Sequence, residues 1–266
     1  MFVYSGSYFI ETYGCQMNEH DSEKMSALLE TMGFVPAESP AVADVVIINT
    51  CSIREKAEHK VYTALGKLKP LKAVKPHLVT IVAGCVAQQE KTSLLKRAPH
   101  LDAVVGTHCI GEIPRIVKQV LEAGERVEAT WFGDDPASLQ LSAPRKGRSS
   151  VCSYVTVMQG CSNFCSYCVV PFTRGREVSR PLSSVVKEIE GLVAGGVREV
   201  TLLGQNVNAY GNDLPAGSSF AGLLEAISAI PGLSRIRFTT SHPKDFGPDL
   251  AHAMAELPPV CEHVHL

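Results

Sequence analysis

Short strand-like runs alternate with helical patterns over the first half of the chain. Strands are predicted at residues 8–13, 44–49, 78–83 and 102–106. The second of these runs is almost continuously apolar, which is typical of a strand buried in a parallel sheet. Strands that alternate with helices favour an α/β fold with parallel strands. We therefore predict an N-terminal open parallel α/β sheet domain over residues 1–132.

The helices between these runs are predicted from apolar positions that recur on one face. The first helix carries Met25, Leu28, Leu29 and Met32 at helical spacing. We expect Asp21 to cap this helix and Gly33 to end it. A later helix, started by Pro114, carries an apolar face formed by Ile113, Ile116, Val117, Val120 and Leu121.

Three cysteines follow the first three strands. Cys15, Cys51 and Cys85 lie 36 and 34 residues apart, each at a strand-to-helix turn. The carboxyl ends of parallel strands lie along one edge of the sheet, where such folds place their ligands. Each thiol also lies near a helix N-terminus, which favours the thiolate. A lone cysteine is a common core residue, but three at one topological position predict a cluster site. We interpret His108 and Cys109, which break the pattern, as bystanders.

The second half of the chain repeats the strand–helix alternation. Residues 133–150 lose periodicity and are predicted to be a linker. Strands are then predicted at residues 154–158, 199–203 and 235–239, and a fourth begins near residue 261. Four strands are too few to close a barrel, so residues 151–266 predict an incomplete (β/α) barrel. Because a bare sheet edge is normally covered, we expect the native protein to continue.

A second cysteine group lies on the loop that leaves the first of these strands. Cys161, Cys165 and Cys168 have the spacing C-x3-C-x2-C. Thiolates packed this closely repel one another unless a cation holds them, so the loop predicts a metal or cluster site. Structural zinc takes a closed set of four ligands, whereas a [4Fe-4S] cluster held by three thiolates keeps one iron open for a substrate.

Zinc with a distant fourth ligand is the alternative interpretation of this loop. Cys152 cannot serve, because nine residues of strand at roughly 3.3 Å each would place it about 30 Å from Cys161. His242, His263 and His265 lie at later strand ends and could complete a zinc site.

The composition of the chain indicates the size of its core and the cellular compartment in which it works. The 266 residues are 45% hydrophobic and 20% charged, which is enough for one large core or two ordinary ones. Nine cysteines without a signal segment indicate a reducing compartment, so we expect the cytoplasm. No apolar run is long enough to span a bilayer, and we expect no membrane role. A net charge of -2 gives no global attraction to nucleic acid.

Several motifs together resemble the radical S-adenosylmethionine (SAM) methylthiotransferases, and among them the MiaB-type enzymes that act on tRNA. The motifs are Tyr13–Asn18, Asn49–Ala57, Gly84–Ala87, Gln159–Cys168, Pro171–Glu177 and Leu203–Tyr210. The residues after Cys51, Ser52 to Lys56, favour the tRNA enzyme over the sister enzyme that modifies a ribosomal-protein aspartate. The family continues through further barrel strands and a small RNA-binding domain called TRAM.

The resemblance implies two [4Fe-4S] clusters. Cys161, Cys165 and Cys168 would hold the cluster that binds and cleaves SAM. Cys15, Cys51 and Cys85 would hold an auxiliary cluster that donates sulfur. The product would carry a methylthio group at C2 of the isopentenyl-adenosine next to the tRNA anticodon. The implied partners are the anticodon loop of tRNA and an electron donor such as flavodoxin or ferredoxin, and we expect a monomer.

Six further residues are candidates for binding SAM. They are Tyr167, Arg174, Arg176, Gln205, Asn206 and Asn208. Tyr167 fills the aromatic place before the last cysteine of the radical SAM signature. Gln205, Asn206 and Asn208 follow a strand end and suit either SAM contacts or ordinary turn chemistry. The arginines, with Arg180, suit either a phosphate or carboxylate contact or a solvated face.

Two other functions stay open from the sequence. One is the ribosomal-protein aspartate methylthiotransferase, which shares the chemistry but acts on protein. The other belongs to a different class, a non-catalytic iron–sulfur or zinc module that binds RNA. Zinc without iron would favour the module, whereas SAM-dependent formation of deoxyadenosine would favour an enzyme.

Overall fold

The computed structural model describes residues 4–52, 55–133 and 151–266. The chain divides into two compact units. The first comprises residues 1–133 together with Phe172–Arg174, and the second comprises residues 134–171 and 175–266. The predicted linker, apart from Gly133, lies outside the described residues, as do Ile53 and Arg54 of the motif after Cys51.

The first unit is built on a six-stranded, fully parallel sheet with strand order β2-β1-β3-β4-β5-β6. The strands are β1 Gly6–Thr12, β2 Phe34–Pro36, β3 Val45–Thr50, β4 Val79–Gly84, β5 Ala103–Val105 and β6 Val127–Ala129. Every residue of β3 and β4 is buried, as the apolar pattern predicts for central parallel strands. The predicted open parallel α/β sheet is confirmed.

Helices follow the strands of this unit. They are α1 Gln16–Thr31, α2 Glu55–Val74, α3 Cys85–Glu90, α4 Thr92–Arg97 and α5 Ile113–Ala123. The core joins Val46 and Val82 of the sheet to Leu65 of α2 and Leu94 of α4. On α5 the predicted apolar face is buried except for Leu121, which is exposed.

The strand order places a switch point between β1 and β3. After β1 the chain passes through α1 to β2 on one side, and it then returns to the other side of β1 to form β3. Open α/β sheets bind ligands at the carboxyl ends of strands where the order reverses in this way. Cys15 and Cys51 follow the two strands that flank this point.

One local prediction for the helices is wrong, and two short strands were not predicted. Asp21 does not cap α1, because the helix already begins at Gln16 with Cys15 as its N-cap residue. Asp21 is instead buried inside the helix. The three-residue strands β2 and β6 were not predicted, since so short a run carries no periodic signal.

The second unit contains a three-stranded parallel sheet with order β11-β10-β7. Its strands are β7 Cys152–Thr156, β10 Glu199–Leu203 and β11 Arg235–Thr239. A bridge from Ile236 to Val260 starts a fourth parallel strand, as expected. A small antiparallel pair, β8 Met158–Gln159 and β9 Val178–Ser179, flanks the cysteine loop in sequence.

Helices cover this sheet as in a partial (β/α) barrel. The helices here are α7 Leu182–Ala194, α8 Phe220–Ser228 and α9 Pro248–Glu256, and the short helix α6, Val170–Thr173, follows the cysteine loop. Val185 and Ile189 of α7 and Leu223 of α8 pack against Val200 and Ile236 of the sheet. Among the described residues, no helix is both long enough and apolar enough to cross a membrane.

Candidate cysteine sites

The structure brings the three N-terminal cysteines to the same edge of the first sheet. Cys15 precedes α1, Cys51 directly follows β3, and Cys85 directly follows β4. The thiol of Cys51 donates a hydrogen bond to the sulfur of Cys15. Gly14 makes this approach possible, since a Cβ on Gly14 would lie 2.4 Å from the Cβ of Cys51, and its φ of +139° disfavours other residues.

The electrostatics of this edge favour a thiolate. The hydrogen bond from Cys51 lowers the pKa of Cys15 to about 6 against the opposing effect of burial. The Arg174 guanidinium and the backbone N–H groups of Asn18 and Met17 lower it further. The amides belong to the first turn of α1, so the helix N-terminus acts on the thiol as the sequence predicts.

A buried polar network fixes Cys15 relative to Cys51. The Asn18 Nδ2 donates to Asn49 Oδ1 at 3.1 Å and to the carbonyl of Thr50 at 2.8 Å. The Asn49 Nδ2 donates back to the carbonyl of Asn18 at 2.7 Å and to Ser22 Oγ at 2.9 Å. These bonds fasten the first turn of α1 to the end of β3. This network was not predicted from the sequence, although Asn18 and Asn49 both lie within motifs that carry the family resemblance.

Arg174, predicted as a candidate for binding SAM, belongs to the first unit. Its Nη2 donates to Asp21 Oδ2 at 2.8 Å, and the two side chains are 3% and 4% exposed. The charges of Cys85, Asp21 and Cys15 raise the pKa of Arg174 despite the burial that opposes them. A solvated face is therefore excluded for this arginine.

The backbone of the same segment is anchored by two residues before α5. Thr107 Oγ1 donates to the carbonyl of Thr173 at 2.6 Å, and His108 Nε2 donates to the carbonyl of Arg174 at 2.9 Å. His108 therefore supports the segment, a role that its interpretation as a bystander missed. Cys109 is buried, and burial raises its pKa to about 11, which agrees with its exclusion from the site.

The C-terminal cysteines lie on one loop of the second unit. Gly160 opens this loop with φ +84°, and a Cβ there would lie 1.9 Å from the carbonyl oxygen of Arg176. Its N–H donates to Gln205 Oε1 at 2.6 Å, and the N–H of Cys161 donates to the carbonyl of Gly175 at 3.1 Å. Only glycine suits this close backbone crossing. The start of the loop is thus fixed by residues that follow it in sequence.

The three thiols of this loop differ in environment. Cys161 is buried, whereas Cys165 and Cys168 are partly exposed. Burial raises the pKa of Cys161, and the nearby Glu177 adds to the shift. The Nε2 of His242 lies 4.0 Å from the Cys165 sulfur. Because the Nδ1 of His242 accepts from the N–H of Lys244 at 3.2 Å, a neutral ring carries its proton on Nε2, which faces the sulfur.

The predicted amide contacts to SAM are partly engaged within the second unit. Asn208 exchanges two hydrogen bonds of 2.9 Å with the backbone of His242. Gln205 uses its oxygen to hold Gly160, and Asn206 Nδ2 donates to Asp245 Oδ2 at 2.7 Å. Within the described ranges, the buried Oδ1 of Asn206 has no hydrogen-bond partner. Asn206 thus keeps an acceptor for a ligand, while Asn208 serves the turn.

The remaining candidates differ in exposure. Tyr167 is 90% exposed, and Arg176 is exposed as well. Arg180 is buried and pairs with Glu188 at 2.6 Å while it donates to the carbonyl of Thr156. Arg180 therefore has a structural role, and neither alternative proposed for it from the sequence holds.

Both donor sets consist of thiols, which are ligands for iron–sulfur clusters and for zinc. None of the nine cysteines forms a disulfide. Among the described residues, no group of three or more His, Cys, Asp or Glu side chains is arranged to hold one metal ion. A zinc ion gathers its ligands around one atom, whereas a cluster distributes its thiolates over separate irons. His263 and His265, two candidates for a zinc ligand, are exposed.

Comparison with known families agrees with the division into two units. Residues 7–106 match the uncharacterized protein family UPF0004, and residues 155–266 match the radical SAM superfamily. Two solved structures of the radical SAM methyltransferase TsrM from Kitasatospora setae share the fold at 14% identity. Their TM-scores are 0.64 and 0.65, and the matches cover 98% of this chain and 58% and 60% of theirs. Residues 155–266 thus match the radical SAM superfamily, and the chain shares its fold with a radical SAM methyltransferase.

Two curated relatives are similar to this chain over nearly its whole length. The tRNA-2-methylthio-N(6)-dimethylallyladenosine synthase of Geobacter metallireducens is 55% identical over 97% of this chain. The synthase of the same name from Carboxydothermus hydrogenoformans is 52% identical over 98%. The chain spans 58% and 59% of the lengths of these two relatives. Over nearly its whole length the chain is thus similar to these two synthases.

Proposed function

We propose that the chain takes part in adding a methylthio group to C2 of isopentenyl-adenosine next to the anticodon of tRNA. The observation that carries the proposal is the pair of cysteine trios, each at the strand ends of its own unit, in a chain more than half identical to synthases named for this product. The names of these relatives favour tRNA over a ribosomal protein. The same names count against a non-catalytic module.

Each trio has the donors that a [4Fe-4S] cluster requires. We assign Cys161, Cys165 and Cys168 to the SAM-cleaving cluster, and Cys15, Cys51 and Cys85 to an auxiliary cluster. When bound, the first cluster supplies the electron that cleaves SAM, and the second supplies the sulfur that is transferred.

The residues of the chain position these groups. In the second unit, Gln205 and Gly160 fix the start of the cysteine loop, and His242 presents an N–H toward Cys165. The free acceptor of Asn206 is suited to the amino group of SAM. In the first unit, Cys51, Arg174 and the first turn of α1 keep Cys15 in the thiolate form that iron binds.

The proposed cellular compartment follows from the chemistry of the cysteines. Thiols that must stay reduced for iron suit the cytoplasm, where we place the protein as a monomer. An electron donor such as flavodoxin or ferredoxin would reduce the SAM-cleaving cluster.

The test begins with anaerobic reconstitution of the protein with iron and sulfide. Two clusters predict about eight irons per chain. The protein is then incubated with SAM, a reductant and tRNA that carries isopentenyl-adenosine, and the nucleosides are analysed by mass spectrometry. We expect 5′-deoxyadenosine and the 2-methylthio nucleoside. The ribosomal-protein substrate, assayed in parallel, should remain unmodified, and the reverse result would overturn the choice of tRNA.

A further inference from the structure

Arg174, in the proline- and arginine-rich motif after the cysteine loop, has its side chain buried in the first unit. Its guanidinium carries a full positive charge at every accessible pH. Asp21 accepts a hydrogen bond from Nη2, so one of the two terminal nitrogens of the guanidinium has a partner. Within the part of the chain that the structure describes, Nη1 is buried and has no hydrogen-bond partner.

A buried donor without a partner is costly, and a charged one is more so. Several bonds nevertheless hold this guanidinium in place. Asp21 orients the side chain, while Thr107 and His108 bind the carbonyls of Thr173 and Arg174. A side chain that only needed to bury its charge could pair both nitrogens with a carboxylate. The arrangement instead keeps one donor available.

The nearby groups show what this donor would meet. The negative charges that act on the Arg174 guanidinium are those of Cys85, Asp21 and Cys15. Asp21 is already bound through Nη2, so among these three negative groups the two cysteine sulfurs, with whatever they bind, are left for Nη1. Anionic sulfur, as a thiolate or as sulfide, is therefore the chemistry that fits Nη1.

We infer that Arg174 is part of the N-terminal cysteine site, where Asp21 holds its guanidinium so that Nη1 donates to anionic sulfur bound by Cys15, Cys51 and Cys85. This inference rests on the proposed auxiliary cluster at these cysteines. A fixed positive charge stabilises the more negative, reduced state of a cluster, and hydrogen bonds to the sulfurs act in the same direction. Arg174 is thus a positioning residue that raises the reduction potential of this cluster.

The experiment isolates one cluster in the full chain. Cys161, Cys165 and Cys168 are changed to alanine, so the iron that remains after anaerobic reconstitution belongs to the N-terminal site. Iron and sulfide are counted, and the midpoint potential is measured by a redox titration followed by electron paramagnetic resonance. In this background Arg174→Gln, Asp21→Asn and Arg115→Gln are compared. Arg115 is an exposed arginine of the same unit and is the charge control.

The two partner variants are expected to shift the potential in opposite directions. Arg174→Gln removes the cation and should lower the midpoint potential, whereas Asp21→Asn removes only the opposing anion and should raise it. Arg115→Gln should leave it unchanged. Loss of a merely structural ion pair would not produce shifts of opposite sign. Unchanged potentials, or equal shifts in both variants, would overturn the inference.

A variant that fails to fold does not end the test. The double variant Asp21→Asn/Arg174→Gln carries no charge at either position, and its comparison with Asp21→Asn alone differs only by the cation. The double variant should have the lower potential, and equality would count against Arg174. If the background without the triad retains no iron, the proposed auxiliary cluster fails first, and this outcome is distinct from a failure of the role of Arg174.

Discussion

The two cysteine sites are constructed in opposite ways. In the first unit the three thiols come from the ends of β1, β3 and β4, and two gaps of 36 and 34 residues separate them in sequence. In the second unit all three lie on one loop within eight residues, from Cys161 to Cys168. The first site depends on the register of a parallel sheet, whereas the second depends on the conformation of one loop.

This difference determines how each site controls its thiols. The sheet edge supplies Cys15 with the N–H groups of a helix start, a neighbouring thiol and a buried cation, and the pKa falls to about 6. The loop supplies Cys161 with burial and a nearby carboxylate, so its pKa rises. A site assembled from distant strand ends can gather such groups, while a short loop has fewer neighbours to use. Cys161 would therefore depend more on a bound cluster to ionise than Cys15 would.

The largest expected effect comes from removing a ligand on either side of the comparison. Cys15→Ala should abolish methylthiolation but leave SAM cleavage, because the proposed roles of the two trios are separate. Cys165→Ala should abolish both, since no SAM would be cleaved. The measurements are 5′-deoxyadenosine and the methylthio nucleoside by mass spectrometry. Thiolation that survives in Cys15→Ala would refute the assignment of the first site.

A smaller effect is expected when the backbone of each site is strained. Gly84→Ala and Gly160→Ala both place a side chain at positive φ, and the new Cβ would lie 2.4 Å and 1.9 Å from a carbonyl oxygen. Each should destabilise its own unit by about 1–3 kcal/mol or more. Each should also reduce the iron content by about four, because only one cluster is affected.

Helix α2 provides the control for these glycines. A Cβ on Gly66 meets no atom within 4 Å, and the residue lies within a helix. Gly66→Ala should therefore stabilise the chain by about 0.5–1 kcal/mol with no change in iron. Full iron content in Gly160→Ala would show that the loop does not need its observed conformation.

The side-chain hydrogen bonds that support the two sites can also be compared, and their removal should have smaller effects. Asn49→Ala leaves buried partners on Asn18 and Ser22 unsatisfied and should cost about 1–3 kcal/mol. Asn208→Ala frees the backbone of His242 at a less deeply buried position and should cost about 1 kcal/mol. Urea unfolding of the metal-free chain measures both. A larger cost for Asn208 would reverse the ranking of the two supports.

The smallest effect concerns a cysteine outside both sites. With a pKa near 11, Cys109 should carry about 100-fold less thiolate at pH 8 than a thiol with an unshifted pKa. Iodoacetamide labelling and peptide mass analysis should find it the slowest to react, with the exposed Cys152 as the reference. Rapid labelling of Cys109 would place it at an accessible position.

Local patterns made much of this architecture predictable. The repeat of strand, cysteine and helix is carried by adjacent residues, so the convergence of Cys15, Cys51 and Cys85 on one sheet edge followed from strand parallelism alone. The triad loop was predictable for the same reason, because its spacing lies within one short segment. Strand β3 was evident from its almost continuous apolar run, and the structure shows it fully buried.

Long-range pairing was not predictable from the sequence. Asp21 and Arg174 are 153 residues apart, and nothing near either residue indicates the other. Asp21 resembled a helix cap because acidic residues favour helix starts, while the actual start at Cys15 offers no side-chain cap. Arg174 resembled a ligand-binding arginine because it follows the cysteine loop. In both cases tertiary burial decided the role.

The membership of Phe172–Arg174 in the first unit affects any attempt to divide this protein. A fragment that ends within residues 134–150 would contain Asp21 but not its cation. An isolated buried carboxylate costs roughly 3–5 kcal/mol, a large part of the stability of an ordinary domain. Dissection within the linker predicted from the sequence should therefore yield an unstable N-terminal fragment, which a short peptide carrying the arginine could rescue in trans.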